Sequence, residues 1–236
     1  MTTAMTTPDA VGRLVSVDCL VAGGVPYEPA LDWQRGRVAA VRDGGREALA
    51  LIEHEPVYTM GRRGGRASMR LDAAAMPAPV IDIERGGDVT WHGPGQLVGY
   101  PILDLRARGL RAADYVRSLE EVLVAVLDGH GLVAGTVPGR PGVWVDGAKV
   151  AAIGVAIRGG VSFHGFALNV APDLAWYDAI VPCGLTDARV TSMAELIGTA
   201  PAMPEVVAAV SEAFEARLAA RLEQASPRAL LGRVVA

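Results

Sequence analysis

Two residues are best suited to covalent chemistry: Cys183, in "VPCGLTD" (181–187), and Lys149, in "GAKVAAIG" (147–154). A cysteine between proline and glycine reads as a turn residue, outside a core. Its thiolate is the nucleophile, and a nearby cation favours that form. Lys149 is the only lysine in a chain with 21 arginines. A coding preference for arginine can leave a stray lysine anywhere. The chemical reading is sharper: arginine cannot give up a proton near neutrality, whereas a desolvated lysine can. A site that needs an amine cannot use arginine. Cys183 and Lys149 stand 34 residues apart. A strand hairpin and a short helix between them can return the chain to its start, although spacing alone does not establish contact.

Two further stretches carry chemical groups. "RGGDVTWHGPGQ" (85–96) packs Arg85, Trp91 and His92 between glycine turns. Glycine lets a ligand approach the backbone and leaves amide donors bare. "FHGFALN" (163–169) places His164 and Gly165 inside an apolar strand and ends on Asn169. A strand glycine often marks a close approach by a ligand or another backbone. His92 and His164 are alternatives to Lys149 as the cation beside Cys183. With Cys183 they are also the possible metal ligands, but no pair has the close spacing of a zinc motif, so no metal is expected. A Cys–His hydrolase stays open. There is no GxSxG, Walker loop or dinucleotide fingerprint.

These segments must be held by one large α/β domain or two small ones, which is what 236 residues allow. No linker or repeat divides them. The reading is a loose terminus over 1–10, a single catalytic domain over 11–225 and an unassigned tail over 226–236. The net charge of −4 argues against a nucleic-acid partner. No apolar run reaches the length of a membrane span. With no export signal and only Cys19 and Cys183, the expected compartment is the cytoplasm. Cys19 reads as a small buried hydrophobe in a strand over 13–21. Further strands are expected over 48–55, 78–84, 96–105, 142–145, 149–157 and 161–170. Asp146-Gly147 signals a hairpin, and 58–70 reads as a Gly- and Arg-rich loop. Helices are expected over 29–43, 112–131 and 204–225. The second has Tyr115, Leu119, Val122 and Val126 on one stripe, with Val116, Leu123 and Leu127 beside it. A short helix over 191–198 opens on a capping box from Ser192 to Glu195. Strands in runs with helices between and after them indicate an α/β fold of the α+β type, a mixed or mostly antiparallel sheet with flanking helices.

Taken together, "HEPVYTMGRRG" (54–64), "RGGDVTWHGPGQLVGYPILDL" (85–105), "GVWVDGAKVAAIGV" (142–155), "FHGFALNV" (163–170), "IVPCGLTD" (180–187) and "VTSMAEL" (190–196) resemble the lipoyl(octanoyl) transferase family. Met193 stands where leucine is expected and Tyr177 where phenylalanine is common. The resemblance implies the fold of biotin protein ligases and lipoate ligases. It implies octanoyl transfer from acyl carrier protein to a lysine of lipoyl domains in 2-oxoacid dehydrogenase and glycine cleavage proteins, without a cofactor. It makes Cys183 the acyl-bearing thiol and Lys149 its acid/base partner. It also implies an acyl site lined by Arg85, Gly86, Gly87, Asp88, Val89, Thr90, Trp91 and His92, by Ala152, Ile153 and Gly154, and by His164, Gly165, Phe166 and Ala167. An ATP-dependent ligase and a non-catalytic lipoyl-domain binder are the rival readings.

Overall fold

The structure, a computed structural model, describes residues 14–181 and 189–229. Among the described residues nine strands form one mixed sheet, and three more form a small second sheet. Strand β1 (Val15–Val25) leads into helix α1 (Tyr27–Arg42) and strand β2 (Glu47–His54). The small sheet follows: β3 (Val57–Met60), β4 (Val80–Asp82) and β5 (Val89–His92). Then come β6 (Gln96–Ile102), α2 (Ala112–Gly129), β7 (Gly135–Val137), β8 (Arg140–Val145), β9 (Ala148–Arg158) and β10 (Val161–Asn169). The chain closes with β11 (Arg189–Val190), α3 (Met193–Ile197), α4 (Met203–Leu218) and β12 (Ala220–Gln224). The large sheet runs β12-β1-β2-β6-β10-β9-β8-β7, with β11 against β9. Pairing is parallel for β12–β1, β1–β2 and β11–β9 and antiparallel elsewhere. The expected mixed sheet with flanking helices is borne out.

Period-two alternation sorts the strands' side chains to two faces. Leu49 and Leu51 of β2, Leu97 of β6 and Leu168 of β10 pack under α2 and α4. The α2 stripe Tyr115, Leu119, Val122 and Val126 is buried there against Val206, Val210 and Phe214 of α4. Ala48, Ala50 and Ile52 of β2, with Val98 and Tyr100 of β6, face α1 instead. Asp146 and Gly147 both take positive φ, 47° and 75°, as a two-residue hairpin turn between β8 and β9 requires. Ser192 caps α3, its Oγ accepting the Glu195 amide at 3.2 Å.

Two expectations are corrected. Residues 58–60, read as the start of a loop, belong to β3, the central strand of the small sheet. The helix expected to run to 225 ends at Leu218. Ala219 turns left-handed (φ 47°), and Ala220–Gln224 pairs with Val15–Cys19. Sheet pairing there overrides the helical preference of Ala, Arg, Leu, Glu and Gln. Among the described residues no helix is long and apolar enough to cross a membrane.

Candidate active site

On the α1 face of the large sheet, two rungs of small residues sink a groove. Gly154 of β9 pairs with Gly165 of β10, and Ala152 pairs with Ala167. Phe166 and Ile153 lie alongside. The cleft above them holds about 480 Å³ of empty space and is predominantly apolar. Arg85, Gly86, Gly87, Thr90 and His92 form its opposite wall, and His164 lines it as well. Tyr27, Val98 and Tyr100 close it; none had been marked by sequence, because two phenols and a valine in ordinary elements carry no chemical signal.

Three residues expected at the cleft are turned away from it. Val89 and Trp91 alternate with Thr90 and His92 along β5, so they face the core of the small sheet, where Trp91 stacks on Trp176. Asp88 is bound instead to Ser68, whose Oγ donates at 2.6 Å, and to the amide of Val89.

Arg85 serves its own loop. Its Nη2 donates to the carbonyl and hydroxyl of Thr59, at 2.7 and 2.9 Å, and its Nη1 to Gly86 O at 3.1 Å. The turn is laced to the basic loop beside it: Arg62 N donates to Arg85 O and Arg63 N to Gly87 O. It is also pinned to β9, where Gly86 N donates to Val155 O at 3.0 Å.

Lys149 lies in an adjoining chamber of about 1120 Å³ that shares Gly86, Gly87, Ile153 and Gly154 with the cleft. It is buried, its Nζ donates to Pro141 O at 3.0 Å, and it sits 4.9 Å above the Trp144 ring. Arg62, Arg63 and Arg140 line the same chamber. Cys183 lies outside the described residues. The described residues on the C-terminal side of its segment are tied to Lys149. Val181 N donates to Ser68 O, while Val190 pairs with Lys149 and Thr191 N donates to Lys149 O.

Burial disfavours the charged form of His54, His92 and His164. Burial holds His54 down to about 4 and His164 to about 3, from an ordinary 6.5. His92 is pushed well below that value, also by burial first. In the unfolded chain these rings take up protons below about pH 6.5. Stability is therefore full above that pH and lost as pH falls toward about 4 for His54 and about 3 for His164. The expected slope is about 1.4 kcal/mol per pH unit for each ring. Denaturant midpoints at about pH 7.5 and 5 check this, and equal midpoints would contradict it.

A mixed sheet with a groove of small residues, and a buried amine at its side, frames the candidate site. The profile described as "Lipoyl protein ligase A/B catalytic domain" matches residues 26–215, and the chain belongs to that family. Among its relatives are octanoyltransferases, which makes it an acyltransferase. That of Geobacter sp. (strain M21) is 51% identical over 180 residues, covering 76% of this chain and 86% of the relative. That of Mycobacterium tuberculosis (strain ATCC 25618 / H37Rv) is 47% identical over 209 residues, covering 87% and 89%. A lipoate-protein ligase A bound with ATP shares the fold, with a TM-score of 0.74, 17% identity and coverage of 90% and 89%.

Proposed function

We propose that this enzyme moves an octanoyl group from octanoyl-acyl carrier protein to a lysine of a lipoyl domain through a thioester on Cys183. The acceptors are the lipoyl domains of 2-oxoacid dehydrogenase and glycine cleavage proteins. Cys183 attacks the donor's thioester carbonyl, and the bond to the carrier's thiol breaks. Lys149 takes the Cys183 proton and passes it to that leaving sulfur. The acceptor amine then attacks the new thioester, the amide forms, and Cys183 leaves. Lys149 carries the amine's proton back to the sulfur. Exchange between thioesters costs little, and amide formation from a thioester is downhill, so ATP is not needed.

The observation that carries this reading is the position of Lys149. It is a buried amine beside an apolar cleft, on the strand that pairs with the residues following Cys183. The decisive experiment is intact-protein mass spectrometry after incubation with octanoyl carrier protein. Wild type should gain one octanoyl group and Cys183→Ala none. A ligase would instead keep its activity in Cys183→Ala and require ATP.

An octanoyl chain gains ~0.8 kcal/mol per buried CH₂, roughly 5 kcal/mol at full burial. Even before association costs that corresponds to a Kd of only about 0.2 mM, so the carrier must add affinity. Acyl carrier proteins are acidic. Arg62 and Arg63 are exposed where they line the Lys149 chamber, and Arg70 is exposed nearby. Arg66 belongs to the same basic loop in the sequence. Joint replacement Arg62→Glu with Arg63→Glu is expected to raise the donor's KM about tenfold and flatten its salt dependence. Unchanged KM and salt dependence would remove the loop from carrier docking.

A further inference from the structure

Hydrogen-bond donors beside the cleft all run in one direction. Arg85 Nη2 donates to Thr59 Oγ1 at 2.9 Å, leaving the threonine proton for His92 Nε2 at 3.3 Å. On the other side of the ring, His92 Nδ1 lies 2.7 Å from Gln96 Oε1. A carboxamide oxygen only accepts, so Nδ1 carries the proton. Gln96 Nε2 donates to Asn169 Oδ1 and to the Tyr177 hydroxyl, each at 2.9 Å. Asn169 Nδ2 donates to Thr191 O at 2.9 Å. Thr191 N donates to Lys149 O at 3.0 Å. His92, Gln96, Asn169 and Thr191 are all buried, so a broken link leaves a polar group without water.

We infer that Arg85, Thr59, His92, Gln96, Asn169 and Thr191 form a positioning spine. It locks His92 as its neutral Nδ1–H tautomer and sets the Lys149 backbone against the acyl cleft. This deepens the proposed reaction and rests on it for the role of Lys149. His92 is thus a wall of the cleft and not a proton carrier. The groups that face its ring are consistent with that. Tyr27 stacks at 6.1 Å, the neutral His54 ring lies at 5.9 Å, and the Arg85 charge acts through Thr59. Among the described residues no carboxylate makes a hydrogen bond or ion pair with it.

The first test is ¹⁵N-histidine NMR of the full chain, which needs no substrate. The His92 signal, assigned by its loss in His92→Asn, should show a proton on Nδ1 and stay neutral at acidic pH where an ordinary imidazole is charged. The second uses variants. Asn169→Asp keeps the acceptor for Gln96 but turns an oxygen toward Thr191 O. Its Cys183 octanoylation rate at saturating donor should fall roughly 100-fold with the donor's KM little changed. His92→Asn restores a donor at the Nδ1 position and should stay within about tenfold of wild type, whereas His92→Gln, which moves the amide outward, should fall with Asn169→Asp. A proton on Nε2, a titrating His92, or Asn169→Asp at the wild-type rate overturns the spine. If wild-type Cys183 takes no octanoyl group, the reaction reading fails, while the NMR result still decides the tautomer.

Discussion

Lys149→Arg is expected to keep the fold and lose octanoyl transfer by about a thousandfold, within the range of general acid–base contributions. The substitution preserves the positive charge and removes only the usable proton. The end of the lysine stem is closely flanked. Gly142 approaches so closely that a Cβ there would stand 3.2 Å from Lys149 Cε, and Nζ already donates to Pro141 O. Two readouts separate charge from proton transfer. Alkylation of Cys183 by iodoacetamide should stay within about threefold of wild type, because a guanidinium still favours the thiolate. Transfer to a lipoyl domain should collapse. Near-normal turnover in Lys149→Arg would remove Lys149 from the proton path.

Much of this arrangement is legible in the sequence. The Asp146-Gly147 turn, the Tyr115-to-Val126 stripe and the Ser192 cap are local signals, and each is where its pattern places it. β12 is not legible. Its residues favour helix, and only the partner strand β1, some 200 positions earlier, makes it extended. β3 is too short to display alternation. Within the candidate site, "RGGDVTWH" reads as one unit, yet a strand cannot turn every side chain to one ligand. Alternation sends Thr90 and His92 to the cleft and Val89 and Trp91 to the core. The link from Gln96 to Asn169 spans 73 positions and has no local signature at all. Nor does Tyr27 or Tyr100 announce a cleft wall, since that role comes only from the folding of α1 and β6 over the groove.

Gly154→Val should close the passage between the acyl cleft and the Lys149 chamber. Gly154 lines both spaces and forms one rung of the groove floor with Gly165. A Cβ at this position would stand 2.9 Å from Gly86 O and 3.0 Å from Arg85 Cδ. The backbone of the Gly86 turn cannot yield without breaking its bond to Val155 O, so the loop that walls the cleft must lift. Overpacking of this kind costs about 1–3 kcal/mol of stability, which a folded domain can absorb. The larger loss is in binding. Expelling about four methylenes forfeits roughly 3 kcal/mol, which predicts a kcat/KM for the octanoyl donor about 100-fold lower. A butyryl donor has few methylenes to bury and should lose much less. The octanoyl-to-butyryl preference of wild type and Gly154→Val, measured side by side on carrier-bound donors, decides the matter. Equal losses for both chains would mean the variant acts by displacing the Arg85–Gly87 turn, and an unchanged octanoyl kcat/KM would show that the chain does not run over this rung.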